Sequence, residues 1–197
     1  MKRLCFPLAS KKALRDLKAG EMVLLQGVVL AARDQTHRLL LETYRAEGRL
    51  PVDLQGHCLY YVGPSPAPPG RVIGAAGPTT SYRMDRYTPP FLAWGVYATM
   101  GKGPRSLEVR RALKEHEAVY LATFGGAGAY LAQCIESCRV LAFPELGPEA
   151  LLELKIKDFP AVVINDLEGR DFYEETRAYW AKVFSSEGRP NKELWAR

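Results

Sequence analysis

Seven glycines and seven prolines fall within residues 63–103, and this stretch limits the fold more than any other feature of the chain. Proline lacks a backbone donor and blocks helix interiors, while glycine weakens helix and strand alike. The segment GPSPAPPG, 63–70, therefore cannot continue a helix or a sheet and reads as a loop. Whatever lies around it has to be short. Apolar runs at 22–25, 28–32, 58–62, 71–75, 118–124, 139–143 and 161–164 read as strands. Helical spacing marks 35–46, 107–117 and 171–184, and 127–135 suits a buried helix. Helical turns are expected at 14–17, at 81–87 before Pro89-Pro90, and at 149–153. Strands interleaved with helices give an α/β layered domain. The length suits one domain, 1–184, followed by a polar C-terminal tail, 185–197.

The same central region holds nearly all the excess charge. Residues 54–107 carry Arg71, Arg83, Arg86, Lys102 and Arg105 against one acid, Asp85. That is +4 of the chain's net +5. A net charge of that size hints at an anionic partner without naming one. No apolar run approaches the roughly 20 residues needed to cross a bilayer, so no membrane span is expected. Pro7 interrupts the short apolar start, which argues against a secretory signal. Cys5, Cys58, Cys134 and Cys138 form no C-x-x-C pair. A reducing cytoplasm is the expected setting, with the four thiols as small buried hydrophobes and no metal site of their own.

Four segments carry candidate chemistry. In GAAGPTTSYRMD, 74–85, an apolar run enters Gly77-Pro78, Thr79 and Thr80 follow, and a helical turn begins. Backbone N–H groups at a helix start hold anions, and Arg83 returns to the same face. The commoner meaning of that spacing is a capped turn with a surface arginine. Gly101-Lys102-Gly103 sets a cation between two glycines but fails the phosphate-loop pattern at both flanks. Arg33-Asp34-Gln35-Thr36-His37 lies where a strand meets a helix, with Asp34 as a candidate cap. FGGAGA, 124–129, follows an apolar run and suits close packing of a helix on the sheet.

Together these segments resemble the β subunit, or C-terminal domain, of the class I iron–sulfur hydro-lyases, the oxygen-sensitive fumarases and L(+)-tartrate dehydratase. The likeness covers roughly 10–180 and rests on RDQTH, GPTTSYRMD, GKG and GGAGA in that order. It implies a swivelling β/β/α domain with mixed sheets. It implies a 4Fe–4S cluster bound by a partner α subunit and not by this chain, in an assembly of two α and two β. Arg33, Thr79, Thr80, Ser81, Tyr82, Arg83 and Lys102 are implied contacts of a dicarboxylate, and no nucleic acid is implied as a partner. The implied reaction is reversible hydration of fumarate to (S)-malate, with L(+)-tartrate dehydration as the alternative. Thr79, the first threonine of GPTT, and His37, which ends RD-x-x-H, are both implied catalytic groups. A hydroxyl base needs cations beside it, whereas histidine is the easier base by pKa, so both stay open. A non-catalytic anion-binding module is the remaining reading. The apolar run 91–100 is the expected partner face.

Overall fold

The computed structural model describes residues 1–186 of the 197. The strands are β1 (Lys2–Phe6), β2 (Met22–Ala31), β3 (Cys58–Tyr60), β4 (Ala98–Gly101), β5 (Val119–Ala122), β6 (Ile135–Ala142) and β7 (Leu151–Asn165). The helices are α1 (Asp34–Glu47), α2 (Thr88–Ala93), α3 (Leu107–Glu115), α4 (Gly128–Gln133) and α5 (Phe172–Ser186). Strands β1 to β5 pair in parallel, and β7 runs antiparallel to β5, β6 and β2. Because β7 pairs with both β5 and β2, the strands β2-β3-β4-β5-β7 close on themselves.

Side-chain alternation then sorts two cores. Val23, Leu25 and Val29 of β2, Cys58 and Tyr60 of β3, and Leu154, Ile156 and Phe159 of β7 fill the space between the parallel and antiparallel layers. Leu59, Tyr61 and Tyr120 point the other way, onto Leu40 of α1, Phe91 of α2 and Val109 and Leu113 of α3. The result is three layers, two of strand and one of helix, as the mixed α/β reading requires. No helix among the described residues is long and apolar enough to cross a membrane.

Several elements differ from their sequence reading. The runs 22–25 and 28–32 form one strand, β2, whose register shifts between Leu25 and Gly27. Gly27 sits at φ +88°, and a Cβ there would overlap the Phe6 carbonyl oxygen. The glycine lets β2 pair with β1 along its first half and with β3 at its end. Residues 71–75 form no strand. Ser65 N–H donates to the Ala75 carbonyl at 3.1 Å, and Ser65 Oγ accepts from Ala75 N–H at 2.8 Å. The proline-rich loop thus satisfies this backbone locally, without a ladder.

The expected turn at 149–153 is instead the approach to and start of β7, which runs 15 residues. Leu152 and Leu154 alternate toward the inter-sheet core, and pairing with β2 on one side and β6 on the other overrides local helical spacing. The 161–164 run is the end of that same strand. Pro89-Pro90 opens α2 rather than stopping a helix, since the first turn needs no intrahelical donors. Helix α4 is shorter than expected and mostly uncovered, with Leu131 its buried residue.

The run 91–100 is not a partner face. Phe91, Leu92, Val96, Tyr97, Ala98 and Met100 are buried, split between the end of α2 and β4. Cys58 alone of the thiols is fully buried, and Cys5 is exposed. Cys134 closes α4 while Cys138 lies in β6, so they share no helical face. Helix α5 continues through Ser186, and the rest of the expected polar tail, 187–197, lies outside the described residues.

Candidate active site

The four loops that leave the carboxyl ends of β2, β3, β4 and β5 carry RDQTH, GPTTSYR, GKG and FGGAGA. In parallel sheets this edge is where ligands bind. The loops are tied by their backbones. Thr79 N–H donates to Tyr61 O at 2.8 Å, Lys102 N–H to Thr79 O at 3.2 Å, Ser81 N–H to Lys102 O at 2.9 Å and Thr123 N–H to Gly101 O at 2.9 Å. Thr80 and Lys102 form a one-residue parallel bridge. Glycine is needed at 101 for space: a Cβ there would overlap Ser81 Oγ and lie 3.2 Å from Thr79 O. A Cβ on Gly128 would come within 3.0 Å of Gly77 N, so FGGAGA packs backbone to backbone under the GPTT loop.

Within this frame Arg83 Nη2 donates to Thr79 Oγ1 at 3.0 Å and pairs with Asp34 Oδ2 at 3.0 Å. Arg83 thus joins the GPTT hydroxyl to the start of α1. Lys102 is exposed and lies along Gly125, where a Cβ would fall 3.8 Å from its Nζ. Among the described residues no carboxylate pairs with it. Arg33 enters from the α1 side, its Nη2 on Glu149 Oε1 at 2.7 Å. Arg33, Thr79, Arg83 and Lys102 are therefore gathered on one edge. Thr80 is exposed, and Tyr82 is 63% exposed.

Ser81 and His37 are placed differently. Ser81 is buried and its Oγ meets Tyr120 OH at 2.9 Å, so only its backbone faces the loop. His37 is wholly buried against Tyr61, Tyr87 and Phe91, with ring centroids 4.7 to 5.8 Å away. Its Nδ1 lies 2.8 Å from the Arg33 carbonyl, a distance at which Nδ1–H donates and Nε2 is left without a partner. Burial pushes its pKa down to about 4, against a smaller opposing pull from the Arg33 carbonyl. The imidazole is neutral at pH 7 and holds the backbone of Arg33.

Three contributors escaped the sequence reading. Asp34 does not cap α1; it pairs with Arg83. Glu149 reaches Arg33 from 116 residues away, a contact no local motif announces. Arg105 is completely buried on Asp85 Oδ1 at 2.6 Å, Thr88 Oγ1 at 2.6 Å and Thr99 Oγ1 at 3.0 Å, between the rings of Tyr61 and Tyr120. Asp85 also accepts from Ser106 N–H at 2.6 Å, which fixes the end of the GKG loop. The lone acid in a basic region was the available signal. Two of the five regional cations are thus neutralised, Arg105 by Asp85 and Arg83 by Asp34. A cleft of about 550 Å³ opens beside Asp34, Tyr82, Arg83 and Arg86. A larger hollow of about 830 Å³ lies away from these groups, between 65–75 and α4.

With oriented cations around a hydroxyl, this edge is suited to holding carboxylates and stabilising a developing negative charge. Among the described residues no three His, Cys, Asp or Glu side chains come together as a ligand set. The dispersed thiols do not fit an iron–sulfur cluster, which is held by three or four thiolates.

The chain has relatives among known proteins. The chain is 39% identical over 170 residues to fumarate hydratase 2 of Leishmania major, covering 85% of this chain and 30% of that protein. It is 37% identical to a putative class I fumarate hydratase of Geobacillus stearothermophilus, covering 84% and 32%. A putative L(+)-tartrate dehydratase subunit beta of Methanocaldococcus jannaschii is 35% identical, with 84% of this chain and 88% of that one aligned. The chain thus spans about a third of the length of the two fumarate hydratases. The fumarase C-terminus profile matches residues 4–176, from β1 into α5. The chain belongs to the fumarase C-terminus family.

Proposed function

We propose that this chain is the dicarboxylate-gripping part of an iron–sulfur hydro-lyase that hydrates fumarate reversibly to (S)-malate. The carrying observation is the Arg83–Thr79 contact at 3.0 Å on the edge that also presents Arg33 and Lys102. In this reading Arg33 and Lys102 hold substrate carboxylates, and the backbone of Thr80 to Tyr82 shapes the floor. In this reading the cluster sits on a partner α subunit, in a pair of αβ units, and the dispersed thiols described here supply no ligand set of their own.

Thr79 is the preferred base over His37. Its oxygen accepts from a guanidinium, so an alkoxide there is stabilised by a fixed cation. It takes the proton from the carbon beside a substrate carboxylate in dehydration and returns it in hydration. His37 has no route to substrate from its aromatic cage, and serves by holding Arg33. A second reading, L(+)-tartrate dehydration, draws support from the aligned subunit beta and uses the same groups, since both substrates are dicarboxylates.

The test is anaerobic assembly with the cluster-bearing partner and assay with fumarate, (S)-malate and L(+)-tartrate. T79V is expected to lower kcat by at least about a hundredfold, the usual worth of a general base. H37N is expected to keep kcat within about tenfold. No turnover with any of the three substrates refutes the hydro-lyase reading, and full turnover by T79V refutes the base.

A further inference from the structure

We propose that Glu149 is a positioning residue for Arg33, setting the plane of its guanidinium for a substrate carboxylate. The inference rests on reading Arg33 as a dicarboxylate ligand. Glu149 Oε1 accepts from Arg33 Nη2 at 2.7 Å, and Oε2 accepts from Gln35 N–H at 3.0 Å. Its main-chain carbonyl accepts from the Thr36 hydroxyl. One residue therefore holds three of the five positions of RDQTH.

The start of α1 needs such a partner. Its first N–H groups have no intrahelical acceptor, and Arg33, the cap residue, makes no side-chain cap bond. Glu149 supplies both the acceptor and a negative charge at the positive end of the helix. The 3-10 turn Pro144–Glu149 delivers it, with Phe143 and Gly147 at φ 57° and 55° bending the link between β6 and β7. The antiparallel layer thus reaches over and steadies a ligand carried by the parallel layer.

The way Arg33 is held distinguishes positioning from competition. A carboxylate that merely occupied the arginine would be free to engage it with both oxygens, the frequent geometry of such pairs. Glu149 uses one oxygen on Nη2 and spends the other on the helix. Arg33 Nη1 lies against the backbone of Gly63, where a Cβ would overlap it, and Arg33 Nε is buried without a partner. A guanidinium has five N–H donors in one plane. Glu149 and Gly63 define that plane while most of the donors stay uncommitted.

The experiment compares E149Q and E149A with wild type in the full chain, alone and assembled with the cluster-bearing partner. In the assembled enzyme KM for the dicarboxylate is expected to rise about tenfold or more, with kcat within about threefold, the pattern of lost uniform binding. In the chain alone, the Arg33 side-chain NMR signals are expected to show hindered rotation about Cζ–Nη in wild type and free rotation in E149Q. An unchanged KM overturns the proposal, and so does unchanged Arg33 rotation. A lower KM overturns it too, because Glu149 is then a competitor. A fall in stability alone, with KM and kcat intact, reduces Glu149 to a helix cap. If wild type turns over no dicarboxylate, the functional reading fails, and the Arg33 rotation still decides whether Glu149 sets that guanidinium.

Discussion

Acidifying the protein from pH 7 to pH 4 forces a charge onto His37, and the structure sets the cost. The ring is fully buried among Tyr61, Tyr87 and Phe91, which holds its pKa down to about 4 from 6.5. In the unfolded chain the imidazole is solvated and keeps the ordinary value. Between the two values the unfolded state binds the proton more readily, so stability rises with pH across that window. The contribution is complete above about 6.5 and is lost as pH falls through about 4. Each pKa unit is worth about 1.4 kcal/mol, so the full loss is about 3 kcal/mol. H37N keeps a donor for the Arg33 carbonyl and removes the titration. Urea unfolding of both proteins at pH 7.0, 5.5 and 4.5 isolates the His37 share, because other acid-sensitive groups are common to both. Wild type is expected to lose stability more steeply than H37N by about 1 kcal/mol per pH unit between 6 and 4.5. Parallel curves, or a His37 ring that titrates near 6.5 by NMR, refute the buried, neutral assignment and reopen His37 as a base.

Other substitutions probe the frame around the site. R105M leaves Asp85 buried with only the Ser106 N–H, and is expected to cost about 3–5 kcal/mol in urea melts. Adding D85N is expected to recover part of that loss, so additive effects in the double-mutant cycle refute the coupling. G63A pushes a methyl into Arg33 Nη1 and is expected to raise KM for the dicarboxylate severalfold with little change in urea midpoint. G101A collides with Ser81 Oγ and crowds Thr79 O, and is expected to lower kcat and expression together, measured against wild type in the assembled enzyme.

The Thr79–Arg83 contact was more legible in the sequence than the long strands around it. Thr79 and Arg83 are four residues apart on one turn, so local geometry already pairs them, and the structure sets them 3.0 Å apart. Helix α1 was equally plain, closed at Gly48 in the left-handed region that glycine enters freely. Strand β7 was not, because its 15 residues extend only through the pairing supplied by β2, β5 and β6. The 91–100 run was apolar for a reason opposite to the one expected: it fills the domain's own core.

The order of the four loops, the glycines that let them approach and the hydroxyl–arginine pair were determined by the sequence itself, since each depends on neighbours a few residues away. Tertiary structure decided the partners. Which carboxylate meets Arg33, whether Arg105 faces a ligand or a buried aspartate, and whether His37 meets substrate or an aromatic cage all turn on contacts spanning 20 to 116 residues. Such contacts exist only once the strands have closed, because the entropy of bringing distant segments together is met by burying the core and not by any local preference.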